Sequence, residues 1–314
     1  MNRFLHELPD AKELFEAIAF ERKILPVIVE KDYWLMHCLW GLQQQHFHFE
    51  LKGGTSLSKG FNIIERFSED IDVQIYPDSA LDIKTGKNHD KPVHIKQRAD
   101  FFNFVTSELN IPDMTFTRDH NFDDIQKMRS AGIRGEYRSH FSAIPSLKSG
   151  VVLELGFDQT TPNLSCDISS WAFDKVNSLG ISVVDNRAKK VKCYYPEYTF
   201  VEKLQTISTK FRLQQQNQKM PINFLRHYYD VYQLLNQKRI LDFIGSKEYL
   251  EHKQKRFRTQ DEMNISKNEA FLLSDPDVRK LYAFEFEKKS AIYFGKQPTF
   301  SEVLERIQKN IDKL

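Results

Sequence analysis

Leu51–Val73 reads LKGGTSLSKGFNIIERFSEDIDV, and the fold turns on this stretch. Leading into it, Phe47, Phe49 and Leu51 alternate with His48, Glu50 and Lys52, which is the two-residue period of a strand. Gly53 and Gly54 end that strand, and Leu57, Phe61 and Ile64 predict a helix directly after it. Ile71, Val73 and Ile75 then alternate as a second strand. Asp70 and Asp72 stand at i and i+2 of that strand, so both carboxylates project from one face. Carboxylates so placed repel, and a hard divalent cation relieves the repulsion by taking their oxygens. Alone, the pair reads first as part of a solvated strand face, where such spacing is common. The glycines add a second feature. A strand, two glycines and a helix start present backbone N–H groups to an anion, and the missing side chains let it approach closely. Ser56, Ser58 and Lys59 can add donors and charge. The spacing is not that of the G-x-x-x-x-G-K-[ST] phosphate loop, because Phe61 follows Gly60. Phosphoryl transfer uses such a loop together with acidic metal ligands.

Outward from this core, Asp10 and Glu13 have the form of a capping box before Leu14, Phe15, Ile18 and Ala19. A second helix follows Pro26 and carries Tyr33, Met36, Leu39 and Trp40. Asp78 to Pro92 is polar and turn-rich, a surface insertion. Val151 to Phe157 is an apolar run with Glu154 in its middle, as in a buried strand. A buried acid there needs a partner. By itself Glu154 therefore reads as a neighbour-paired structural acid, or as a residue exposed on the strand's other face. From Tyr198 onward the pattern becomes helical. Phe200, Leu204, Ile207 and Phe211 form one stripe, and Leu225, Tyr228, Tyr229, Tyr232 and Leu235 another. The expected fold class is α+β. Residues 1–195 would form a mixed sheet flanked by helices, and residues 196–314 a mainly helical domain.

The 314 residues carry a net charge of only +2, which argues against a strongly basic coat for nucleic acid. The three cysteines, Cys38, Cys166 and Cys193, show neither zinc spacing nor a disulfide framework, so a reducing cytoplasm is expected. The N-terminus reads as a helix start and not as a leader peptide, and no apolar run predicts a membrane span.

The string from Leu51 to Val73 resembles the DNA polymerase β-type nucleotidyltransferase superfamily. It is most similar to the AbiEii/AbiGii-type toxin nucleotidyltransferases, the toxin halves of bacterial abortive-infection and toxin–antitoxin systems. Lys52, the Gly-Gly-Thr-Ser loop, Arg66, Ser68-Glu69 and the aspartate pair carry the resemblance. Glu30-Lys31-Asp32-Tyr33-Trp34, Glu202-Lys203-Leu204 and Arg226-His227-Tyr228-Tyr229-Asp230 extend it over residues 25 to 236. The resemblance implies a polymerase β-like domain and transfer of a nucleoside monophosphate from a nucleoside triphosphate to an acceptor hydroxyl. RNA, particularly the tRNA 3′ end, or protein would be the acceptor, and a cognate antitoxin would be encoded nearby. Asp70 and Asp72 would bind Mg²⁺, with Mn²⁺ as substitute, and Glu154 would be the third carboxylate. Gly53, Gly54, Thr55, Ser56, Lys59, Arg66 and Ser68 would line the nucleotide. Lys203 would contact phosphate, and Asp230 would complete the active site, both reaching its cleft from the helical domain.

Spacing alone reads the last two residues differently. Arg226 and Asp230, at i and i+4, would pair on an exposed helix flank, and Lys203 would snorkel from the edge of its stripe. Arg134, Arg138, Lys148, Lys189, Lys190 and Lys192 read as scattered surface basics. The run His252 to Arg258 reads as a solvated helix face, with an RNA backbone contact as the alternative. A metal-dependent nuclease and a non-catalytic nucleotide-binding module are the rival functions. The glycine loop counts against the first, and the intact aspartate pair against the second.

Overall fold

Helix α2 (Pro26–Gln44) is buried along nearly its whole length. Pro26 at its first turn starts it without sacrificing a backbone hydrogen bond. The computed structural model describes residues 3–145, 147–288, 293–295 and 297–314. The chain divides into two compact units, cut at Phe61/Asn62, Arg66/Phe67 and Tyr194/Tyr195.

The first unit is built on a seven-stranded mixed sheet. Its strands are β1 (Phe49–Lys52), β2 (Asp70–Ile75), β3 (Met114–Asp119), β4 (Ser130–Tyr137), β5 (Val151–Gly156), β6 (Asn163–Ile168) and β7 (Ala188–Tyr194). Their spatial order is β3-β4-β5-β2-β1-β7-β6. β2 lies at the centre, antiparallel to β1 and parallel to β5. Alternation sorts the two faces. Leu51, Ile71, Val73, Ile133, Leu153 and Leu155 are buried on one. Glu50, Lys52, Asp70, Asp72, Gln74 and Glu154 share the other. α2 packs on β2, β5 and β7, and on α1 (Ala11–Arg22) and α5 (Trp171–Ser178).

Two local expectations change. Asp10 does precede α1, but its side chain makes no capping hydrogen bond. The helix after the glycines is short: one turn, α3 (Gly53–Thr55), then a π-turn over Ser56–Gly60. Asn62, at φ +53°, turns the chain away, so Ile64 lies outside any helix. Sequence patterning also passed over α4 (Pro92–Glu108), β3, β4, β6 and β7.

The second unit is helical. Its long member α6 (Pro196–Asn217) packs with α7 (Arg226–Leu234), α8 (Lys238–Phe243), α9 (Lys247–Arg256) and α10 (Glu269–Leu272). α11 (Pro276–Glu287) and α12 (Phe300–Gln308) complete the described helices. Aromatic rings fill its core: Tyr228 lies 5.5 Å from Phe300 and 6.2 Å from Tyr282, centroid to centroid. The segment Asn62–Arg66 belongs to this unit. The Glu65 N–H donates to the Tyr229 hydroxyl at 3.2 Å, and the Glu65 carbonyl accepts from the Phe294 N–H at 3.0 Å.

Candidate active site

Strand register brings Asp70, Asp72 and Glu154 onto one face of the first unit. Asp72 pairs with Glu154 across β2 and β5, and Asp70 stands two residues before Asp72 on the same face. Asp70 is almost fully buried, with 4% of its side chain exposed, against 36% for Glu154. Glu154 is thus partly exposed, in line with the aspartates and 3.9 Å from the Lys148 ammonium.

Lys52 pairs with Asp72 on the other side, so Gly53 follows directly where β1 leaves the sheet. Gly53 has φ +68°, and a Cβ there would lie 2.1 Å from Asp72 Oδ2. Only glycine combines that backbone with that approach. Thr55 and Ser56 are buried in the turn. The Thr55 hydroxyl donates to the Asp70 carbonyl at 2.6 Å, which ties the turn to β2. Ser56 points its hydroxyl at the Tyr194 carbonyl, 3.5 Å away. Gly54 is buried and Ser68 half-buried. Lys59 turns away from the carboxylate face. Its ammonium lies 2.6 Å from Asp32 Oδ1 and 3.2 Å from the Ser169 carbonyl, over the Trp171 ring.

Glu30, Lys31 and Asp32 on α2 are all buried, and each holds a different loop. The Glu30 carboxylate accepts from the His140 N–H at 2.8 Å and from the Ser139 hydroxyl. Lys31 donates to the Lys148 carbonyl and lies 3.8 Å from Glu69. Burial pulls its ammonium down to about 8, against the attraction of Glu69 and Asp70. Asp32 accepts from the Trp171 N–H at 2.8 Å besides its bond with Lys59.

Lys148, a scattered surface basic by its sequence position, reaches the carboxylate face. Its ammonium lies 2.7 Å from both Asp70 oxygens and 3.9 Å from Glu154 Oε1, with the Phe122 ring 4.5 Å away. It lies in a Leu-Lys-Ser-Gly stretch far along the chain from Asp70, so no periodicity could announce it. Among the described residues, no three His, Cys, Asp or Glu side chains are grouped so as to hold a metal ion as they stand. The donor chemistry nonetheless suits one. Asp70, Asp72 and Glu154 offer only hard carboxylate oxygens, and the ammonium of Lys148 already lies against two of them as a cation.

Arg66, Lys203 and Asp230 meet in the second unit. The Arg66 guanidinium forks onto Asp230 with bonds of 2.6 and 2.8 Å, and Lys203 lies 2.9 Å from Asp230 Oδ2. Arg66 and Asp230 are fully buried and Lys203 nearly so. Burial pushes the Asp230 carboxyl up, but the two cations outweigh it and hold it at about 2. His227 stands 3.5 Å from Lys203, and burial keeps its imidazole well below the usual histidine range. Asp230 thus draws its partners from two distant segments. In the basic run, Lys253 is buried, and Arg256 lies 3.3 Å from Glu202.

The model of the family described as "Nucleotidyl transferase AbiEii toxin, Type IV TA system" matches residues 35–306. The chain belongs to this family, a nucleotidyltransferase family of toxin–antitoxin systems, which implies a cognate antitoxin. Among curated proteins none matches the sequence. The crystal structure of an antigenic nucleotidyltransferase-like protein from Paracoccidioides brasiliensis is similar at 13% identity and a TM-score of 0.35, over 87% of this chain and 97% of that one. No helix of the described residues is long and apolar enough to cross a membrane.

Proposed function

We propose that the chain transfers a nucleoside monophosphate from a nucleoside triphosphate to an acceptor hydroxyl, with Asp70, Asp72 and Glu154 as its acidic centre. The row of three carboxylates against the Gly53 turn carries this reading. The backbone amides of the turn are suited to bind phosphate oxygens, and Thr55 and Ser56 shape the turn from beneath. Asp70, Asp72 and Glu154 would hold Mg²⁺, or Mn²⁺ in its place, which when bound supplies positive charge to the α-phosphate and the leaving pyrophosphate. Glu154, more exposed than Asp70, would take the acceptor hydroxyl's proton as the new O–P bond forms and pyrophosphate departs. The family resemblance adds RNA, particularly the tRNA 3′ end, as acceptor.

Incubation with each α-labelled nucleoside triphosphate, Mg²⁺ and either total RNA or total protein tests the reading. Label should enter RNA from the wild-type chain and vanish with Asp70→Asn or Asp72→Asn. Transfer undiminished in Asp72→Asn would exclude the assignment. Label in protein instead would keep the chemistry and change the acceptor. As a toxin, the wild-type chain should arrest growth when expressed, and Asp72→Ala should not.

A further inference from the structure

We infer that Lys148 is the resident cation of the carboxylate face: it occupies the cation position between Asp70 and Glu154 and yields it when a divalent ion binds. The inference rests on the acidic centre proposed above. Its first support is the contact itself. The Lys148 ammonium is shared equally by the two Asp70 oxygens, at 2.7 Å each, with Glu154 beyond at 3.9 Å.

The second support is how Lys148 is held. Its backbone is gripped at both polar groups by buried charged side chains. Its N–H donates to Glu69 Oε2 at 2.9 Å, and its carbonyl accepts from the Lys31 ammonium. Lys31 and Glu69 are 2% and 3% exposed and lie 3.8 Å apart, so their charges also serve each other. Burying such a pair is expensive unless each charge is well partnered. Together they fix the main chain at one residue, the one whose side chain reaches Asp70. Phe122 flanks the ammonium as well, with its ring 4.5 Å away. Lys31 and Glu69 are thus positioning residues for Lys148.

The consequence is competition. An ammonium 2.7 Å from both Asp70 oxygens fills the space a metal would need there, and its positive charge repels the ion. The side chain can withdraw while its clamped backbone stays in place, because four rotatable carbons separate the two. In the free protein, Lys148 balances the charge of a nearly buried carboxylate. A divalent ion must displace it, which weakens binding of the bare ion.

The test is binding of Mn²⁺ alone, followed by electron paramagnetic resonance, with no nucleotide or acceptor present. Lys148→Met should bind Mn²⁺ about tenfold more tightly than wild type, because a competing charge has gone. Lys148→Arg keeps the charge and should stay close to wild type. Lys148→Gln, of similar size but uncharged, should follow Lys148→Met and guards against a folding artefact in either variant, with circular dichroism as the check on each. Equal or weaker Mn²⁺ binding in both uncharged variants would overturn the inference. If Asp70→Asn abolishes binding while those variants gain nothing, only the role of Lys148 falls. If Asp70→Asn leaves Mn²⁺ binding intact, the acidic centre itself is misassigned and the inference falls with it.

Discussion

Gly53 and Asp72 stand so close that residue 53 has no room for a side chain: a Cβ there would lie 2.1 Å from Asp72 Oδ2. Gly53→Ala therefore meets two penalties, the left-handed backbone at φ +68° and the clash with the carboxylate. Backbone strain alone costs about 1–2 kcal/mol. Gly180 separates the two effects, because it has φ +71° and nothing within 4 Å of its would-be Cβ. Gly180→Ala should lose a little stability and no nucleotidyl transfer. Gly53→Ala should lose about a hundredfold or more in transfer, since Asp72 must move by an ångström or so. Melting temperatures and single-turnover rates of the two variants decide this.

Asp32 and Lys59 make a second test. Asp32 is 1% exposed and takes Lys59 at 2.6 Å. Burial pushes the Asp32 carboxyl up and the Lys59 ammonium down, while each opposes the other's shift. Removing one partner of a buried pair costs about 3–5 kcal/mol, while replacing both with apolar groups costs far less. Lys59→Met should unfold at markedly lower urea concentration than wild type, and Lys59→Met with Asp32→Leu should recover most of the loss. Were the two changes simply additive, the pairing would not be what holds Lys59.

These two tests bear on how much the sequence discloses. The carboxylate face was legible because two-residue alternation acts over neighbouring positions, and Asp70-Ile71-Asp72 needs nothing more. Glu154 could be suspected as an acid amid apolar neighbours, but its place beside Asp72 depends on which strand pairs with β2. The place of Lys59 in the glycine loop is that expected of a phosphate donor. The helix is shorter than the apolar spacing implied, and the π-turn aims Lys59 at Asp32. The role of Glu30-Lys31-Asp32 was hidden because each residue grips a loop more than twenty-five positions away. Arg66 and Asp230 belong to one cluster only because Asn62–Arg66 packs with the helices. Local patterns fix elements and faces, and they say little about which distant loops buried charges will hold.

His37 predicts a pH dependence. Its Nε2 lies 3.1 Å from the Pro112 carbonyl and its Nδ1 3.1 Å from the Asn186 amide nitrogen. Donation from Nε2 and acceptance at Nδ1 satisfy both partners, which selects the neutral ring. Burial lowers its pKa to about 4. Between about pH 6.5 and 4 the unfolded chain takes up a proton that the folded chain refuses, so stability falls as pH falls through that window. The loss amounts to about 3 kcal/mol when complete. His37→Gln keeps a donor and an acceptor but does not titrate. Its urea midpoint should change less between pH 6.5 and 4 than that of wild type, and an equal change would place the effect elsewhere.

Asp230 acts at lower pH and through a different group. Its folded pKa of about 2 lies below the ordinary 3.8, so its contribution is complete above pH 3.8 and is lost as pH falls through 2. Acid unfolding of wild type should include this component, and Asp230→Asn should lack it. Asp230→Asn should also be less stable at neutral pH by about 3–5 kcal/mol, because Arg66 and Lys203 would be left buried without their anion. Arg66→Lys tests the geometry of the pair. Lysine retains the charge but cannot reproduce the fork that now reaches both Asp230 oxygens at 2.6 and 2.8 Å. Arg66→Lys should therefore cost about 2 kcal/mol of stability in urea titrations at pH 7, within the range for one hydrogen bond to a charged group. A stability equal to wild type would mean that charge alone, and not the two-point contact, holds Asp230.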